Sequence, residues 1–129
     1  MFNSLTIKDL VMRHLQKLAS NESQRNSVWE KARIIPNFPQ NQIRADALGN
    51  LIAKTDYGKR IPFGWHKDHI IPKASGGSNN IENLQPLQWR DNIKKSDTPF
   101  SKFLQEKNKT RLGLYLNKSY CDTYFSKSL

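Results

Sequence analysis

The sequence is almost without cysteine. Cys121 is the single one in 129 residues, so no disulfide can close within the chain and no four-cysteine zinc knuckle can hold it together. Long apolar runs are missing as well. No segment approaches the roughly 20 apolar residues that span a bilayer. Lys8, Asp9 and Arg13 interrupt the N-terminal stretch before it can read as a signal peptide. Acid is scarce: 11 Asp and Glu face 21 Lys and Arg, a net charge of +10. These lacks exclude a disulfide-stapled secreted scaffold and a membrane-spanning chain. They leave an intracellular compartment, cytoplasmic or nucleoid, as the expectation. The basic excess points to an anionic partner, of which nucleic acid is the commonest. A chain of this length has one modest hydrophobic core, which must stabilise the fold unaided.

What is present begins with helical periodicity. Over residues 5–19, Ile7, Leu10, Val11, His14, Leu15 and Leu18 follow i, i+3, i+4 spacing and form one apolar stripe. Thr6 and Asp9 are spaced to cap its start, and His14 reads as a packed or boundary residue. The stripe can pack on the rest of the domain or on a second copy of the chain, a possible homodimer. Residues 20–27 are polar and aperiodic and read as a linker. The expected division is therefore a helix over 1–20 and a domain over 21–129. Val28–Ala32 fits a short helix or a strand, and Pro36 and Pro39 bound a loop. Ile43 to Tyr57 reads as a β-hairpin with a two-residue turn at Gly49-Asn50. Arg44 and Asp46 share a strand face there, as a surface ion pair or as a support for the neighbouring segment; the surface pair is the simpler reading. Tyr57-Gly58-Lys59-Arg60 is a basic turn, and Lys59 and Arg60 can reach phosphates. Toward the end, 99–109 reads as a helix with Phe100, Phe103 and Leu104 on its buried side. Leu112–Phe125, which holds Tyr115, Tyr120 and Tyr124, is expected to pack. A basic excess from Lys94 onward makes the last third a candidate nucleic-acid-facing surface.

Between these parts lies the stretch that carries chemistry. Trp65-His66-Lys67-Asp68-His69-Ile70-Ile71-Pro72 reads as a short strand stopped by proline. Hydrolysis of a phosphodiester needs a base for water and a cation for the phosphate. A carboxylate holds a hard cation, and an imidazole titrates near neutral pH, so Asp68 and His69 supply both. Neighbours on a strand point to opposite faces; the strand must end, twist or bulge for both to act together. The glycine loop around Gly76-Gly77-Ser78 then returns Asn83, whose amide both donates and accepts and can lock backbone across the loop. Leu84-Gln85-Pro86-Leu87 follows as a second strand, with Leu84 in the core. On the next helix Asn92 and Lys95 are neighbours three apart. Trp89 and Ile93 are expected to anchor that helix, with Lys95 further out toward a phosphate and the helix start directed at an anion.

Taken in order, Trp-x-x-Asp-His-Ile-x-Pro, Gly-Gly-Ser, Asn-Leu-Gln-Pro-Leu and Asn-x-x-Lys-Ser-Asp resemble, over about residues 64–97, the HNH (ββα-metal) endonuclease family. Val28–Ala32, Arg44-x-Asp46-x-x-Gly49 and Tyr57-Gly58 are similar, more loosely, to small stand-alone HNH proteins of bacteria and viruses. The resemblance implies an α+β fold: a ββα-metal (His-Me finger) core with a flanking β-hairpin, an N-terminal helix and C-terminal helical additions. It implies His69 as general base, Asp68 and Asn92 as ligands of one Mg²⁺ or Mn²⁺, Asn83 as the brace of the loop, and Lys95 near the scissile phosphate. The expected activity is hydrolysis of double-stranded DNA to 5′-phosphate and 3′-hydroxyl ends. A catalytically silent nucleic-acid-binding module and an RNA nuclease are the alternatives. His66 stands where many relatives carry an acidic residue. It is a candidate nucleic-acid contact with Lys59, Arg60 and Lys94, and its service as an extra ligand is not expected.

Overall fold

The computed structural model describes the backbone of residues 4–116 and the side chains of residues 4–109; the expected packing of Tyr115, Tyr120, Tyr124 and Phe125 falls outside these. Helix α1 spans Ile7–Trp29 and opens with a capping box. The Thr6 side chain accepts from the Asp9 N–H at 3.1 Å, and Asp9 accepts from the Thr6 N–H at 3.1 Å. The Thr6 hydroxyl, which donates to Asp9 Oδ2 at 2.8 Å, and then the Thr6 N–H hold the Asp9 carboxyl below the ordinary carboxylate range.

The helix does not stop near residue 19. Residues 20–27 contain no glycine or proline, so nothing interrupts the hydrogen-bond ladder, and polar residues suit a helix surrounded by water. Its end is fixed instead by Val28 and Trp29, both buried in the core. The apolar stripe finds no partner within the described part of the chain. Leu10, Val11, Leu15 and Leu18 are each about half exposed, and His14 is exposed rather than packed.

Two antiparallel pairs follow. Strands β1 (Ile43–Ala45) and β2 (Leu51–Ala53) pair with Arg44 opposite Ile52. The connection is not the two-residue turn expected; it is a loop organised by Asp46. The Asp46 carboxylate accepts from the N–H groups of Leu48 at 3.0 Å and Asn50 at 2.8 Å. Gly49, at φ 87°, supplies the left-handed residue. Arg44 and Asp46 are no surface pair. Both are buried, and they do not bond to each other: Arg44 pairs with Glu30 at 3.2 Å, and Asp46 serves backbone N–H groups.

Strands β3 (Trp65–His69) and β4 (Leu84–Gln88) form the second pair, and helix α2 (Trp89–Lys95) follows without a break. Val28, Trp29, Ala32, Ile52, Trp65 and Leu84 pack as one core between α1 and the two hairpins. Trp29 and Trp65 meet with ring centroids 5.5 Å apart, and the Trp65 indole N–H donates to Ala53 O at 2.9 Å. Helix α3 (Phe100–Leu116) buries Phe103, leaves Phe100 and Leu104 half-buried, and continues past residue 109. It starts against the exit of β3, where the Phe100 N–H donates to Ile70 O at 3.0 Å. The order β3–β4–α2, with flanking hairpin and helices, is an α+β arrangement compatible with the expected core.

Candidate active site

The β3–β4 register sets Asp68 opposite Gln85 and His69 opposite Leu84. Asp68 is buried, and one of its oxygens, Oδ2, accepts from Gln85 Nε2 at 2.9 Å. Strand β3 ends at His69. That ending resolves the parity problem, since Asp68 and His69 then line the same cavity of about 320 Å³.

The loop after β3 is closed by Asn83. Its Oδ1 accepts from the Ile71 N–H at 2.8 Å, and its Nδ2 donates to Ile71 O at 2.9 Å and Ser78 O at 2.8 Å. Asn83 thus fastens both backbone groups of Ile71 and does not line the cavity itself. The closeness of this junction requires Gly77. A Cβ there would lie 1.8 Å from Ile71 O and 2.9 Å from Asn83 Nδ2, inside any tolerable contact.

Helix α2 sits differently from the expectation. Ile93 is 47 % exposed and anchors nothing, and Trp89 is only half-buried, its indole N–H donating to Ile61 O at 2.8 Å. The inward residues are Asp91 and Lys95, four apart on one face. Asp91 accepts from Asn50 Nδ2 at 2.7 Å and pairs with Lys107 at 2.7 Å. Gln88, just before the helix, donates its N–H to Asp46 Oδ2 at 2.9 Å. Asp46 therefore supports the site helix, the less simple of its two readings. The first turn of α2 is already capped by the Gln88 side chain, which accepts from the Arg90 N–H at 2.9 Å. It is the other end, through Asn92 and Lys95, that borders the cavity.

Lys95 is the largest departure. It does not extend outward: it is 1 % exposed, its ammonium 2.9 Å from Asp68 Oδ1 and 2.8 Å from His69 O. The proposed ligand carboxylate is thus already in a buried ion pair, with a donor on each oxygen. Each carboxylate oxygen has two lone-pair sites, so Asp68 retains acceptor capacity. The Asn92 amide Nδ2 lies 3.4 Å from His66 Nδ1, leaving its carbonyl oxygen as the donor atom available to a cation. Among the described residues no three His, Cys, Asp or Glu side chains cluster as a metal-ligand group. The oxygens that Asp68 and Asn92 bring to this cavity are a carboxylate and an amide carbonyl. This all-oxygen set fits Mg²⁺ or Mn²⁺ with water completing the shell.

His69 has a partner that the sequence did not single out. Asn79 Oδ1, an acceptor, lies 2.8 Å from His69 Nε2. With the ring proton on Nε2 this contact is a hydrogen bond from His69 to Asn79, and the Nδ1 lone pair is then the free one. Asn79 and Asn80 look alike in the sequence, as turn residues in a polar loop, and nothing marks the first for this work. Lys67 and Asp97 also line the cavity unannounced. Burial, then the nearby Arg25 charge, lower the Lys67 ammonium below the ordinary lysine value. Burial raises the Tyr57 phenol. Of the other candidates, His66 sits beside Asn92, while Lys59, Arg60 and Lys94 are exposed and lie outside the cavity lining.

The HNH endonuclease family model matches residues 58–98, a span that contains β3, the glycine loop, β4 and α2. No curated protein and no solved structure gives a significant match to the chain. Among the described residues no helix is long and apolar enough to cross a membrane.

Proposed function

From the membership of residues 58–98 in the HNH endonuclease family, we propose that this protein is an active, metal-dependent endonuclease. Its substrate in this reading is double-stranded DNA, and its products carry 5′-phosphate and 3′-hydroxyl ends. One observation carries the reading: Asp68, His69, Asn92 and Lys95, from two separate stretches of sequence, line one cavity.

The division of labour follows from the chemistry of each group. His69 Nδ1 accepts the proton of the attacking water, with Asn79 holding the opposite ring nitrogen. Asp68 and Asn92 hold the divalent ion, which when bound supplies positive charge to the phosphate and to the departing oxygen. Lys95 orients Asp68 through their ion pair, and its bond to His69 O ties the base to the same pair. Asn83 acts through the loop and touches no reacting atom.

The buried Lys95–Asp68 pair also favours a second reading, a nucleic-acid-binding module whose ligand carboxylate is permanently neutralised. Cleavage of plasmid DNA with Mg²⁺ or Mn²⁺, with and without EDTA, separates the two. In the first reading EDTA abolishes cutting, and His69→Ala loses roughly 10²–10⁴-fold in rate while still binding DNA. Wild-type cutting by His69→Ala removes the assigned base, and binding without any metal-dependent cutting leaves the silent module. A parallel assay on duplex RNA decides the nucleic acid.

A further inference from the structure

Three basic residues outside the assigned site share a side of the fold. Lys67 belongs to β3, one residue before Asp68, and borders the catalytic cavity. Its ammonium donates to Gln24 Oε1 on α1 at 2.7 Å, a neutral partner. Next to Gln24, the Arg25 guanidinium carbon lies 5.2 Å from the centroid of the Tyr57 ring. Tyr57 in turn packs edge-on against Trp65 at 4.8 Å and lies 6.5 Å from the His66 ring. A groove of about 380 Å³ opens there between α1 and the segment after β2. Arg25, Lys54 and Tyr57 line it, with Trp29 and Trp65 among the aromatic lining and Glu22 on the helix side.

Charge makes this arrangement informative. The ion pairs Arg44–Glu30, Lys95–Asp68 and Lys107–Asp91 involve none of Arg25, Lys54 and Lys67. Arg25 and Lys67 are both half-buried. Against these cations the groove sets the single carboxylate of Glu22, and the positive excess that remains favours an anion. The run starts at the wall of the catalytic cavity and leads away from it, as a phosphate backbone leaving a cut site would.

We propose that Lys67, Arg25 and Lys54 form a second phosphate subsite, which takes a backbone phosphate of the same nucleic-acid substrate next to the one being cut. This rests on the nuclease reading and extends it to residues beyond the matched segment. The flat aromatic wall beside the cations, Tyr57 above all, borders the sugar or base attached to that phosphate. Lys67 is the link, since it lines the cavity and its ammonium is held by Gln24, next to Arg25.

The test measures duplex binding by fluorescence anisotropy in EDTA, so that no cutting intervenes, as a function of salt. Each phosphate contact contributes about 0.9 to the slope of log K against log salt. Arg25→Gln and Lys67→Gln should each lower the slope by about that amount. Arg25→Lys, which keeps the charge, should retain it, and this rescue separates loss of a contact from loss of fold. Lys8→Gln, on an exposed position of the first turn of α1, should leave the slope unchanged. If the unaltered protein binds DNA and both glutamine variants keep its full slope, the subsite is wrong and the nuclease reading survives. If the unaltered protein binds neither duplex DNA nor duplex RNA, both fall together.

Discussion

Replacing Lys95 by methionine isolates the charge at the centre of the site. The substitution keeps an unbranched stem of similar length and removes the ammonium. Asp68, 4 % exposed, would then keep Gln85 as its one side-chain donor, and His69 O would lose its bond from Lys95. Stripping one member from a buried ion pair is destabilising by about 3–5 kcal/mol, because the partner charge stays buried and unpaired. The remaining Gln85 bond argues for the lower end. A loss of about 3 kcal/mol is a large share of the roughly 5–15 kcal/mol that holds a domain of this kind folded. At about 4 °C per kcal/mol for a domain of this length, the melting temperature should fall by about 12 °C. Divalent ion should restore much of that. Any ligand confined to the folded state at a hundred times its dissociation constant returns about 2.7 kcal/mol, and the variant offers an Asp68 free of a competing cation. Thermal melts of both proteins, with Mg²⁺ or Mn²⁺ and with EDTA, make the comparison. The variant should gain more from the ion than the unaltered protein does. Equal gains, or none in either, would refute the idea that the ion docks on Asp68, and an unchanged melting temperature in EDTA would refute the energetic importance of the pair.

The remaining predictions concern the supports. Asn79→Leu removes the acceptor at His69 Nε2 and should slow cleavage by about 10–100-fold, the usual effect of losing an orienting partner. Its pH–rate profile should change shape, and an unaltered rate and profile would dismiss Asn79 from the mechanism. Gly77→Ala forces a methyl group into Ile71 O and should melt well below the parent, with loss of cleavage; a normal melting curve would mean that the loop yields where it looks closed. For the α1 stripe we expect a second copy of the chain as partner, giving a dimer by sedimentation equilibrium that Leu10→Lys with Leu15→Lys turns into a monomer. A parent that stays monomeric at high concentration ends that expectation.

The convergence of Asp68, His69 and Asn92 on one cavity was legible because the motif fixes their order and the secondary structure around them is simple: a strand stopped by proline, a glycine loop, a short helix. The orientation of α2 was not legible. Binary patterning sets apolar residues inward, which nominates Ile93 and puts Lys95 outside. Here Asp91 and Lys95 go inward because each meets an opposite charge remote in sequence, Lys107 and Asp68, and local spacing contains no trace of such partners. The same limit hid Asn79, whose use depends on where the loop returns. In α1 the error ran the other way. Polarity suggested a linker over 20–27, while the anchorage by Val28 and Trp29 and the absence of helix breakers favoured one continuous rod. Asp46 misled by its neighbour: two charges on one strand face invite pairing, but burial gave the carboxylate to backbone N–H groups instead.

Helix α2 has seven residues, and isolated helices shorter than about 12–15 residues barely persist in water. The groups that grip it from outside are Asp46, Asn50 and Lys107, and all three fall beyond the borders of the 58–98 segment. A graft of that segment into another protein would transplant the chemistry without its clamp. The smallest portable version of this site therefore begins before the first hairpin and includes the opening turns of α3.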